Sequence, residues 1–93
     1  MIGVRFMEQI IIIAEYPEQT CYACPTIFEF NDINGEHYYF RLRHGWWRLE
    51  NETTGRILAS GEASELDLDG ICDWEEAKML CASDGVFIKN EVE

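Results

Sequence analysis

The sequence predicts an α+β domain over residues 1–93, an antiparallel β-meander of four to five strands packed against one C-terminal α-helix. Three observations carry this. From Thr26 to Ser60, apolar and polar residues alternate in short runs, broken at Asn34-Gly35, His44-Gly45 and Thr54-Gly55. A single helix-period stretch follows, with Trp74, Ala77, Leu80 and Cys81 on one face. Between them lies an acidic, irregular stretch from Gly61 to Gly70. A chain of 93 residues holds one domain with a modest core.

The elements follow in order. Glu8 to Ala14 holds four consecutive isoleucines and reads as a buried strand, because β-branched side chains suit the pleated backbone. Tyr16-Pro17 bounds it, and Tyr16 to Pro25 is expected to be a loop carrying Cys21 and Cys24. Thr26 to Phe30 is the next strand, and Asn31 to Gly35 turns the chain. Glu36 to Arg43 and Trp46 to Glu50 form a hairpin through the two-residue turn His44-Gly45. Asn51 to Gly55 turns again, and Arg56 to Ser60 is a fourth strand. Asp73 to Ala82 is a helix, ended by Ser83-Asp84-Gly85. Val86 to Lys89 is a short last strand. Phe28, Phe30, Tyr38, Phe40, Leu42, Trp47 and Leu49 should give the sheet side of the core, and Trp74, Leu80 and Cys81 the helix side.

Charge narrows the function. Seven basic residues stand against 18 acidic ones, a formal net charge of -11. A polybasic DNA binder is excluded, since neutralising phosphates takes a surplus of Lys and Arg. At 47 % hydrophobic, the chain is also too apolar for a disordered acidic tail. The longest uninterrupted apolar run, Ile10 to Ala14, is too short for a membrane span or a signal-peptide core. The expected location is cytoplasmic, where the four cysteines would stay reduced.

Four groups of residues could carry chemistry. Cys21-x-x-Cys24 has the spacing of half a zinc ribbon, but Cys72 and Cys81 are nine apart and do not supply the other half. A thioredoxin-type role needs such a pair at a helix N-terminus, and β-rich sequence follows Pro25 instead. Glu65, Asp67, Asp69, Gly70, Asp73 and Glu76 fall at positions 1, 3, 5, 6, 9 and 12 of an EF-hand loop. The same letters read more simply as a turn at Asp69-Gly70 and a capping box between Asp73 and Glu76. By alternation, Tyr39, Arg41, Arg43, Trp46 and Arg48 share the face of the meander turned away from the core. Tyr, Trp and Arg dominate interface hot spots, and they also stack bases in single-strand binders. Finally, Glu62, Glu65, Asp67, Asp69, Asp73, Glu75 and Glu76 place seven carboxylates in fifteen residues without an intervening Lys or Arg. Such a run is either a solvated face or a surface whose potential imitates a phosphate backbone.

Residues 36–82 follow the β-β-β-α order of integrase arm-binding domains, which this stretch resembles in order of elements only; their basic surface is absent. In size, charge and lack of catalytic motifs, the whole chain resembles small phage or mobile-element inhibitors, including anti-CRISPR proteins and DNA mimics. That resemblance implies a non-enzymatic inhibitor in the host cytoplasm. Its partner would be a protein with a basic, nucleic-acid-binding surface, and Glu62, Glu65, Asp67 and Asp69 would occupy a place meant for phosphates. Tyr39, Arg41, Arg43, Trp46 and Arg48 complete the expected partner-binding set. No cofactor, membrane or direct nucleic-acid contact is expected, and a homodimer is compatible with exposed strand edges. The alternatives are a calcium- or zinc-responsive module, and a small regulatory or toxin-neutralising subunit.

Overall fold

The computed structural model describes residues 9–23, 25–63 and 71–91. Six strands and one helix succeed one another: β1 (Ile10–Tyr22), β2 (Thr26–Asp32), β3 (His37–Arg43), β4 (Trp46–Asn51), β5 (Arg56–Glu62), α1 (Trp74–Ser83) and β6 (Val86–Asn90). They form one sheet in the order β5-β4-β3-β2-β1-β6. From β1 to β5 each strand pairs antiparallel with the next. The expected meander is therefore present, but the sheet is larger and mixed. β6 lies at the far edge and runs parallel to β1, with Ile10 opposite Val86 and Ala14 opposite Asn90.

The second correction concerns β1. The stretch from Tyr16 to Tyr22, expected as a loop, continues the strand. The register against β2 shifts between Glu15 and Glu18, and again between Gln19 and Cys21. Tyr16 adopts a φ of 44° at the first shift. A β-bulge leaves a residue out of the ladder, and there Pro17 can be tolerated without breaking a hydrogen bond.

The hairpin turns follow their sequence signals. His44 and Gly45 have φ of 53° and 76°, the left-handed pair that a type I′ turn requires. The turn after β2 is built around Asp32. Its Oδ1 accepts from the backbone N–H groups of Asn34 (2.8 Å) and Glu36 (3.0 Å). Its Oδ2 accepts from the buried Tyr38 hydroxyl at 2.9 Å. Asn51 does the same work after β4, accepting from Thr53 and Thr54 N–H.

The core sits between one face of the sheet and α1. All seven aromatic and leucine positions expected for the sheet side are buried, joined by Ile12, Ala14, Ala59, Val86 and Ile88. The helix contributes Ala77, Leu80 and Cys81. Trp74 docks it, with its ring 5.3 Å from Phe28 and 5.4 Å from Phe30. Its indole N–H donates to Asn90 Oδ1 on β6 at 2.9 Å. The capping box is formed. Asp73 Oδ1 accepts from Glu76 N–H at 2.8 Å, and Glu76 Oε1 accepts from Asp73 N–H at 2.9 Å. The order β3-β4-β5-α1 preserves the β-β-β-α succession. No helix among the described residues is long and apolar enough to cross a membrane.

Candidate binding face

Side chains alternate across a strand, so the burial of Tyr38, Phe40 and Leu42 turns His37, Tyr39, Arg41 and Arg43 to the opposite face. On β4, burial of Trp47 and Leu49 does the same for Trp46, Arg48 and Glu50. The register then sets neighbours. Tyr39 lies opposite Glu50, Arg41 opposite Arg48, and Arg43 opposite Trp46. The five residues expected to share this face do so.

Four of them, Arg41, Arg43, Trp46 and Arg48, line a shallow hollow of about 340 Å³ together with His44 and Trp47. Trp46 is 61 % exposed at its edge. Arg48 Cζ lies 5.9 Å from the Tyr39 ring centroid, within cation–π range. Arg48 Nε is also 3.6 Å from Glu50 Oε1. Like charges directly opposite one another repel, so Arg41 against Arg48 is a locally unfavourable pairing. Among the described residues no ion pair engages Arg41 or Arg43. In a chain of net charge -11, this hollow concentrates positive charge beside exposed aromatic surface.

Glu62 stands opposite Trp46 at the end of β5, exposed. The acidic stretch therefore starts beside the arginine hollow. Glu65, Asp67 and Asp69 lie outside the described residues, as do Cys24 and the first part of the EF-hand-like spacing. Asp73 and Glu76 of that spacing are engaged with each other in the helix cap.

The same sheet face carries a second cluster that the sequence reading did not single out. His37 begins β3, and its Nε2 lies 3.0 Å from Glu29 Oε1 and 3.5 Å from Glu52 Oε1. Its Nδ1 lies 2.7 Å from Asn31 Oδ1. The Thr20 hydroxyl donates to Glu29 Oε2 at 2.9 Å. The His37 hydrogen bond holds the Glu29 carboxyl below its ordinary value; partial burial opposes this and the Thr20 bond adds to it. The available signal was the hairpin register: a turn at Asn34-Gly35 makes Asn31 and His37 partners and sets Glu29 diagonal to His37. Glu29, Asn31 and His37 also line a neighbouring hollow of about 440 Å³ with Glu15, Tyr16, Glu18, Thr20 and Phe30.

Cys21, Cys72 and Cys81 are free thiols. Burial pushes Cys72 up to about 12, helped by the charges of Glu76 and Asp73, and burial also raises Cys81. Neither is poised as a nucleophile, since the thiolate is the reactive form. Comparison with protein-family models, curated proteins and solved structures finds no match for this chain.

Proposed function

We propose that the chain is a non-enzymatic binding protein that docks one protein partner on the outer face of its sheet. The observation that supports this most is the exposed Trp46 standing over a hollow lined by Arg41, Arg43 and Arg48, with Tyr39 beside it. Aromatic and arginine side chains are the residues that carry most interface energy. Glu62, opposite Trp46, begins the acidic stretch at the rim of the same face. The fitting partner therefore presents an acidic group to the arginines and a basic surface to the carboxylates.

A protein that handles nucleic acid carries such a basic surface. The reading is then of an inhibitor of the mobile-element type, with Glu62, Glu65, Asp67 and Asp69 filling a place meant for phosphates. An acid-rich chain also meets a cationic partner quickly, through long-range attraction. The free thiols of Cys21, Cys72 and Cys81 suit a reducing cytoplasm.

The test is affinity capture from a lysate of the native host at low and high salt, with partners identified by mass spectrometry. Trp46→Ala should lose the partner at both salt concentrations. Reversing Glu62, Glu65, Asp67 and Asp69 to Lys should lose it most clearly at low salt, because exposed charges are screened within about 8 Å at physiological ionic strength. Capture that survives both variants would overturn the proposal.

A further inference from the structure

We propose that Glu29, His37 and Glu52 form a binding site for a divalent transition-metal ion of the zinc type. This does not rest on the binding function proposed above, and it uses different residues.

The place of one proton on His37 sets the chemistry of the cluster. Asn31 Oδ1 sits 2.7 Å from His37 Nδ1. An amide oxygen only accepts, so this contact is a hydrogen bond in the tautomer that carries its hydrogen on Nδ1. In a neutral ring, Nε2 is then a bare lone pair facing two carboxylate oxygens at 3.0 and 3.5 Å. Three electron-rich atoms converge there, and a positive charge placed among them would be held by all three. Either a second proton or a metal ion can supply it.

The spacing fits the ion. Zinc binds imidazole nitrogen and carboxylate oxygen at about 2.0–2.2 Å in a tetrahedron, so ligand atoms lie roughly 3.3–3.6 Å apart. One measured edge, 3.5 Å, falls in that range, the other, 3.0 Å, falls short of it, and all three ligand atoms lie within 4.8 Å of one another. An imidazole ligand favours zinc and its neighbours over calcium or magnesium, which prefer oxygen alone. Water or a partner's acid would complete the fourth position.

The surroundings are those of a metal centre. Ligating histidines donate their other ring N–H to a fixed acceptor, which sets the tautomer, and ligating carboxylates are hydrogen-bonded in turn. Here Asn31 does the first and the Thr20 hydroxyl the second. The backbone fixes the third ligand. Glu52 N–H donates to His37 C=O at 2.8 Å, and His37 N–H donates to Thr53 Oγ1 at 2.9 Å. Those bonds hold the turn that carries Glu52 against the start of β3.

The experiment is calorimetric titration of the purified full chain with zinc chloride near neutral pH, with the His37 imidazole followed by nitrogen NMR. Expected is one ion per chain, with the His37 Nε2 resonance shifted. His37→Gln should abolish binding, and Glu52→Gln, on an exposed turn, should weaken it at least tenfold with the fold intact by circular dichroism. Asn31→Ala should weaken it about tenfold through loss of orientation. A Cys21→Ser/Cys24→Ser variant should bind as the parent does. Absence of binding, binding that survives both His37→Gln and Glu52→Gln, or binding lost with the two cysteines would overturn the proposal.

Discussion

Trp46 and Trp47 are neighbours in the chain and lie on opposite faces of the sheet. Trp47 is 4 % exposed, its ring 6.0 Å from Phe40 in the core. Trp46 is 61 % exposed, beside Arg41 and Arg43, which no ion pair engages among the described residues. The contrast extends along both strands of the hairpin. Tyr38, Phe40, Leu42, Trp47 and Leu49 fill the space under α1, while Tyr39, Arg41, Arg43, Trp46 and Arg48 face away from it. A period of two thus separates two jobs within the same thirteen residues. Inner residues should govern stability, and outer residues should govern contact with other molecules.

Substitutions test that division, and the largest effect is expected inside. Phe40→Ala should cost about 3–5 kcal/mol in urea unfolding, since the fully buried ring leaves a cavity. Trp46→Ala should stay within about 0.5 kcal/mol of the parent. Equal costs would abolish the distinction between the faces. Asp32→Ala should come next, at about 1–3 kcal/mol, because it strands the Tyr38 hydroxyl and two backbone donors. Asp32→Asn, which keeps an acceptor, should recover part of the loss.

Gly61→Ala sharpens the comparison at a point where the inner face is crowded from the edge strand. A Cβ there would come within 3.0 Å of Trp47 Nε1. A loss of about 1 kcal/mol is expected, with a change in Trp47 fluorescence. The smallest effect belongs to the outer face. Glu29 has a folded pKa below its ordinary value, so its stabilisation is present above about 4.5, the usual value, and lost as pH falls through the lowered one. Unfolding midpoints measured from pH 6 to pH 3 should therefore fall more steeply in the parent than in Glu29→Gln. Parallel curves would show that the His37 contact carries no stability.

Local signals were legible in the sequence and distant pairings were not. The I′ turn at His44-Gly45, the capping box of Asp73 and Glu76 and the burial pattern of β2 to β4 all depend on residues close together in the chain. Sequence predicts an end to β1 at Tyr16-Pro17 because proline cannot donate to a ladder, and it does not show that a bulge relieves that need. The parallel partnership of β1 and β6 has no turn to announce it. The arginine hollow followed from alternation alone. The Glu29–His37–Glu52 cluster also needed the register of one hairpin and the fold of the next turn.

That parallel partnership has a consequence for how the molecule is made. The hairpins from β2 to β5 join nearby residues and can form as soon as each is synthesised. β1 can zip onto β2, but its other edge has to wait until the helix and β6 have left the ribosome. Until then the isoleucine-rich strand offers a row of unpaired amides and carbonyls. An open edge of that kind invites pairing with other chains. Synthesis therefore passes through an interval of exposure that ends when β6 pairs with β1.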